Sequence, residues 1–243
     1  VKPFLFLGIR ADDAAADGEH DAFVRAAGLD PHDVRRVRLE REPLGEVDLA
    51  DWSGIVLGGG PWNTSDPDDR KSGAQRSAEA RLRDLAHQVV EADFPFLGAC
   101  YGIGTLGALA GGVVDRSHPE PIGAAPITLS DHGRDDALTG VLPATFDAFL
   151  GHQEAVSRLP DGAVLLASSP ACPVQAFRLG ERVYATQFHP ELDVEGIVDR
   201  IRIYRDHGYY GPGEGEALVA RARAAVVTEP PRLLRRFVEL FAR

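Results

Sequence analysis

The chain has 243 residues, a length at which a single α/β domain can bury an adequate core. Its net charge of −11, from 26 basic against 37 acidic residues, argues against nucleic acid or an anionic membrane surface as partner. Two cysteines, Cys100 and Cys172, are too few for a disulfide framework, and the apolar run 4–9 is too short to span a membrane and lacks signal-peptide flanks, so a reduced, cytoplasmic protein is expected.

In chain order, residues 2–9 form an apolar run suited to a buried parallel strand, and the Asp- and Ala-rich segment 10–20 reads as a loop. A short helix is expected over 22–27 with Gly28 as its C-cap, and the alternation of Val34, Val37 and Leu39 with arginines predicts an edge strand over 33–39. Residues 53–57 form the next strand and lead into Gly58-Gly59-Gly60-Pro61. The stretch 62–74, rich in Asp, Ser, Pro and Gly, is either a lid or a mobile insertion, with Trp62 a candidate cover for substrate. Residues 75–91 place Ala78, Leu82, Leu85, Ala86 and Val89 on one helical face. A buried strand over 94–99 and the apolar face of a helix over 105–110 then leave Cys100 at their junction.

Further on, Val113 and Val114 are extended, 118–121 turns, 126–129 is a strand, 135–139 is a helical turn, and 144–151 leads into His152-Gln153-Glu154. Segments 163–167, 174–179 and 182–188 read as an antiparallel meander with a hairpin turn at 179–182. An amphipathic helix over 193–207 is broken by 208–215. Two more helices, 216–227 and 232–242, follow, and they cap the sheet or form a dimer contact.

Three stretches carry chemistry. In 94–112, Gly98 and Gly102 flank Cys100 two residues to either side, which suits a sharp strand-turn-helix with its sulfur exposed, and the helix N-terminus favours the nucleophilic thiolate. Taken alone, this is equally a small buried residue in a tight turn. In 184–191, His189 ends a strand, and Pro190 lets Glu191 turn back toward the imidazole: a base with its orienter. In 55–63, an apolar strand enters three glycines and a proline, a backbone able to aim N–H groups at an oxyanion. No Lys-Ser or Lys-Thr follows, so the phosphate-loop pattern fails. Cys172 has no basic neighbour or helix start beside it and reads as structural.

Together, in this order and spacing, the three stretches resemble the class I (triad-type) glutamine amidotransferases, with the closest likeness to glutaminase domains of the GMP synthase type and their stand-alone relatives. The likeness covers about residues 2–204 and implies a flavodoxin-like fold: a three-layer α/β sandwich around a mainly parallel sheet, here one domain over 1–243 with extra C-terminal helices over about 213–243. It implies Cys100 as nucleophile, His189 as base and Glu191 as third member. Gly60 and the Tyr101 amide match the oxyanion donors, with Gly59 shaping the loop, and His152 and Gln153 are further substrate-site candidates or polar residues on a strand connection. In the pattern G-x-C-x-G-x-Q this chain has Gly104 where the family has glutamine, which puts the substrate in question.

Three readings stay open. The chain is a glutaminase that feeds ammonia to a separate synthetase, or a stand-alone γ-glutamyl hydrolase with the same three residues, or a binding protein of this fold without turnover. The remaining histidines, at 20, 32, 87, 118, 132, 152 and 207, lack paired ligand spacing, so neither a metal nor a cofactor is expected. A homodimer is left open.

Overall fold

The computed structural model describes residues 1–205, 210–211 and 213–243. In order along the chain, β1 (Phe4–Gly8), α1 (Asp13–Ala27), β2 (Val34–Arg38), β3 (Gly54–Leu57), α2 (Gly73–Glu91), β4 (Phe96–Ala99) and α3 (Tyr101–Gly107) make the first half. They are followed by β5 (Val113–Asp115), β6 (Glu120–Leu129), α4 (Asp131–Asp135), β7 (Thr145–His152), β8 (Ala155–Arg158), β9 (Val164–Ser168), β10 (Ala176–Leu179) and β11 (Val183–Thr186). The helices α5 (Val194–Ile203), α6 (Gly215–Ala224) and α7 (Pro231–Phe241) close the described chain. None is long and apolar enough to cross a membrane.

Nine strands form one sheet in the order β2-β1-β3-β4-β11-β10-β9-β6-β7, and β5 pairs with β8 separately. From β2 to β11 every pairing is parallel, and the antiparallel meander β11-β10-β9 extends the sheet toward β6 and β7. Near-continuous apolar runs form these inner strands because both faces are covered, and alternation decides which side chain goes where. Leu5, Leu7, Ile55 and Leu57 pack with Leu82 and Leu85 of α2 on one face, while Phe4, Phe6 and Val56 pack with Phe23 of α1 and Phe237 of α7 on the other. Two helical layers thus enclose the sheet. A third cluster joins Phe149 to α5 and α6.

Several boundaries differ from the sequence reading. Segment 10–20 is not a loop: Asp12 caps α1 by accepting from Ala15 N at 2.9 Å, and its small residues Ala15, Ala16 and Ala22 form a buried face that carries little hydrophobic signal. Gly28 ends that helix in the left-handed conformation, φ 71°. The helix expected over 105–110 starts at Tyr101, directly after the cysteine. β6 begins at Glu120, inside the stretch read as a turn, and the helical turn placed at 135–139 is the short α4 followed by a tighter turn at Thr139–Val141. The end of the helix expected over 193–207 and part of the break at 208–215 lie outside the described residues.

The last helix covers the sheet beside α1. Phe237 packs on Phe4 with ring centroids 6.1 Å apart and on Phe241 at 5.0 Å, and a Cβ on Gly54 would stand 3.2 Å from the Phe237 ring. A side chain at that position of β3 would make the neighbouring rings give by a few tenths of an ångström. Truncating a wholly buried phenylalanine typically costs about 3–5 kcal/mol. Phe237→Ala is therefore expected to lower the thermal unfolding midpoint by many degrees, while exposed Val226→Ala leaves it nearly unchanged; differential scanning calorimetry of both variants checks this.

Candidate active site

Strand β4 and helix α3 meet at Cys100, whose backbone is held at φ 54°, ψ −94°, a conformation strained for any residue with a side chain. The turn is possible because a Cβ on Gly98 would lie 2.6 Å from the backbone of Gly102, and one on Gly102 would lie 2.8 Å from Leu57 O. Cys100 N–H donates to Thr186 O of β11 at 2.8 Å, which pins the turn to the neighbouring strand. The thiol is partly exposed, and the first amides of α3, Tyr101 N–H among them, have no acceptor within the helix.

His189 follows β11, with its own N–H donating to Phe149 O at 2.9 Å. Its Nδ1 lies 2.8 Å from Glu191 Oε1, so Nδ1 is the protonated donor and Nε2 is left for the thiol. Gly59 stands where the three parts converge: a Cβ there would be 2.6 Å from His189 Cε1 and 2.9 Å from Cys100 Cβ. A side chain at 59 would force the loop off the thiol. Gly60 is equally crowded, its Cβ position 2.5 Å from Ile9 Cγ1. A narrow cavity of about 40 Å³ opens beside these residues, lined among others by Arg10, Gly60, Cys100, Gly151, His189 and Tyr204.

The electrostatics favour an ionised centre. Burial alone lowers the tendency of His189 to hold a proton, but the Glu191 carboxylate and then the Cys100 sulfur outweigh it, against opposition from Arg200, and the imidazole is raised to about 9. For Glu191, burial disfavours charge, yet His189 and Arg200 together hold the carboxyl well below its usual range. Around this pair lies a buried set of charges. Arg200 Nη2 donates to Glu191 Oε1 at 2.9 Å and lies 3.4 Å from Glu19 Oε1, while Arg10 Nε is 3.0 Å from that same oxygen without the alignment of a hydrogen bond. Glu19 also accepts Gly59 N–H at 3.2 Å.

The profile of the family "Glutamine amidotransferase class-I" matches residues 24–197. The chain belongs to this family. Among curated relatives it is 30% identical over 151 residues to the GMP synthase [glutamine-hydrolyzing] of Neisseria gonorrhoeae, covering 62% of this chain, and 35% identical over 154 residues to that of Aeropyrum pernix. It spans about a quarter of their length, 26% in both cases. Solved structures share the fold: a glutamine amidotransferase from Thermotoga maritima has a TM-score of 0.75 at 20% identity, covering 98% of this chain and 97% of that one. A glutamine amidotransferase from Methylobacillus flagellatus has a TM-score of 0.74 at 19% identity, covering 100% and 94%.

Against the family pattern, the residues expected at the site separate into two groups. Cys100, His189, Glu191, Gly59, Gly60 and Tyr101 are brought together. The His152 and Gln153 side chains are not: His152 places Nε2 2.9 Å from Glu120 Oε2 and donates from Nδ1 to Glu154 O, while Gln153 accepts from Arg116 at 3.3 Å. Their neighbours Leu150 and Gly151 line the cavity instead. At Gly104 the room for a side chain is already taken, since a Cβ would stand 2.9 Å from Thr64 Oγ1 and 3.1 Å from Glu154 Oε1. Glu154 accepts from Thr64 N and Ser65 N at 2.8 and 2.7 Å, and Lys71 binds Glu79 at 2.7 Å and Thr64 O at 3.0 Å, so the stretch 62–74 is tied down. Trp62 sits edge-on to Tyr101 at 6.0 Å.

Arg10, Glu19 and Arg200 carried no motif in the sequence. Their signal was positional: Glu19 lies four residues from both Ala15 and Phe23, and Arg200 three from Ile197, each on the buried face of its helix. Among the described residues, two groups of donor atoms lie close enough to share an ion, Glu19-His189-Glu191 and Glu120-His152-Cys172. In both, the carboxylates are already engaged, by Arg200 in the first and by His152, Ser169 and Gln175 in the second.

Two expectations follow from this geometry. Burial pushes the Cys172 thiol up to about 11, so brief iodoacetamide treatment at neutral pH is expected to label Cys100 first, and mass spectrometry showing Cys172 ahead would contradict the arrangement. Because His189 is raised from about 6.5 unfolded to about 9 folded, its contribution to stability is complete below pH 6.5 and is lost as pH rises through 9. Chemical denaturation across that interval should show a steeper loss for the wild type than for Glu191→Gln, which removes the main group holding the proton on.

Proposed function

We propose that the chain hydrolyses the side-chain amide of glutamine through a thioester on Cys100. The observation that carries this reading is the strained Cys100 turn set against an imidazole whose far nitrogen is fixed by Glu191. With His189 already holding the proton the thiol has given up, sulfur attacks the carboxamide carbon and the imidazolium delivers that proton to the departing amine, so that ammonia leaves and a γ-glutamyl thioester remains. Water, deprotonated by His189, breaks the C–S bond and frees glutamate. Glu191 holds the tautomer and balances the imidazolium. The Gly60 and Tyr101 amides receive the oxyanion, each such donor being worth about 3–4 kcal/mol. Gly59 lets the loop come this close.

In this reading the ammonia passes to an acceptor held by a separate synthetase. Support comes from the relatives named GMP synthase [glutamine-hydrolyzing], and a reducing compartment such as the cytoplasm suits the free thiol. One observation favours a second reading, hydrolysis of a different γ-glutamyl compound: the space beside Gly104, where the family pattern has glutamine, is filled by Thr64 and the Glu154 carboxylate.

The test is turnover. Release of ammonia and glutamate from glutamine and from a panel of γ-glutamyl amides is expected with the wild type, and both Cys100→Ala and His189→Ala should abolish it. Glu191→Gln should be less damaging, because it still accepts the Nδ1 proton without the charge. Activity surviving in Cys100→Ala would remove the thioester mechanism. Turnover on glutamine that rises with an added synthetase selects the first reading, and preference for another γ-glutamyl amide selects the second.

For position 104 the packing makes a further prediction. Gly104→Gln cannot enter without moving the Thr64 hydroxyl and the Glu154 carboxylate that accepts from the 64–65 amides, and overpacking of this kind costs about 1–3 kcal/mol. The variant should unfold at lower temperature and bind substrate no better. A lower KM for glutamine at unchanged stability would show that the turn yields freely.

A further inference from the structure

Two buried charges beside the thiol and imidazole have no part in the steps above. Glu19 comes from α1 and Arg200 from α5, and their side chains meet at 3.4 Å in the interior. Arg200 Nη1 lies 3.1 Å from His189 Nδ1, whose proton is directed at Glu191, so the guanidinium finds no free lone pair there and stands beside the ring as a positive charge. Glu19 supplies the opposite sign, for one of its oxygens lies within 4.8 Å of donor atoms of both His189 and Glu191. The same carboxylate sits beneath the glycine loop. It accepts Gly59 N–H, and a Cβ on Gly58 would be 2.8 Å from Glu19 Oε2.

We propose that Glu19 and Arg200 are positioning residues for the reaction, Arg200 opposing the imidazolium and Glu19 favouring it, with Glu19 tying the Gly59 loop to the same balance. The groups that face His189 are then Glu191 from the loop after β11, Cys100 from the β4–α3 turn, Arg200 from α5 and Glu19 from α1, with Arg10 behind Glu19. Arg200 is shared between two carboxylates, which lets both stay buried with a partner. Loss of Glu19 leaves the buried Arg10 guanidinium without its carboxylate, whereas loss of Arg200 leaves Glu19 to Arg10 and Glu191 to His189. Loss of Glu19 also frees the Gly59 amide, and with it the distance between the loop and the thiol.

The proposal rests on His189 being the acid-base group, and its test needs no turnover, so its outcome is separate from whether glutamine is the substrate. The full-length chain, labelled with ¹⁵N-histidine, is titrated by NMR. Relative to the wild type, whose His189 is held at about 9, Glu19→Gln should lower the titration by roughly one pH unit and Arg200→Gln should raise it by a similar amount. The double variant should fall between the two. Arg200→Lys keeps the charge and should hold the titration near the wild-type value, which gives a reading if the Gln variant does not fold. In the glutaminase assay, Glu19→Gln should lower kcat about tenfold to a hundredfold with KM little altered, the pattern of a misplaced reacting group. Shifts in the same direction for the two single variants, no shift in either, or a Lys variant displaced as far as the Gln variant would overturn the assignment.

Discussion

The arrangement depends on one backbone constraint, the forced turn at Cys100. A residue with a Cβ is held at φ 54° because the strand ahead of it and the helix after it cross at Gly98 and Gly102, where no side chain fits. Parallel register does the rest. Ala99 of β4 is paired with Thr186 of β11, and Gly98 with Leu57 of β3, so all three strands reach their C-terminal ends at the same edge of the sheet. The chain leaving β3 supplies Gly59 and Gly60, that leaving β4 supplies Cys100, and that leaving β11 supplies His189 and Glu191. Loops at the carboxyl ends of parallel strands are where open α/β sheets place their sites, and here the pairing brings residues 130 positions apart, Gly59 and His189, into contact.

Burial of charge is the second constraint. Arg10, Glu19, Glu191 and Arg200 are all largely removed from water, an arrangement tolerable only when each charge faces another of opposite sign. The helices α1 and α5 that carry Glu19 and Arg200 are thereby fixed against each other and against the thiol. Stability and chemistry are coupled through adjoining contacts, because Arg200 joins Glu191, which keeps His189 protonated, to Glu19, which accepts from the glycine loop.

The main features of the fold were legible from the sequence because they rest on apolar runs and turn residues. The inner strands, the hairpin turn at Gly180 and the amphipathic helix α2 follow directly from hydrophobic pattern, and Cys100, His189 and Glu191 were readable from local motifs. What escaped depends on tertiary contact. The helix α1 presents an alanine face too weakly hydrophobic to register, and with it Glu19 was read into a loop. His152 looked like a site residue by its place at the end of β7, but its ring is held by Glu120 and the Glu154 carbonyl, and Leu150 and Gly151 line the cavity. The missing side chain at 104 was visible, whereas its occupation by Thr64 and Glu154 required the fold of the 62–74 stretch.

The claim that all of this serves a nucleophilic thiol can be tested by covalent capture. A glutamine analogue with a diazoketone in place of the side-chain amide would be attacked by the thiol, with loss of nitrogen and formation of a thioether. The account predicts one equivalent of label on the peptide that contains Cys100, with protection by glutamine and none in His189→Ala on the same timescale. Label on Cys172, or no label while the protein remains folded, would contradict it.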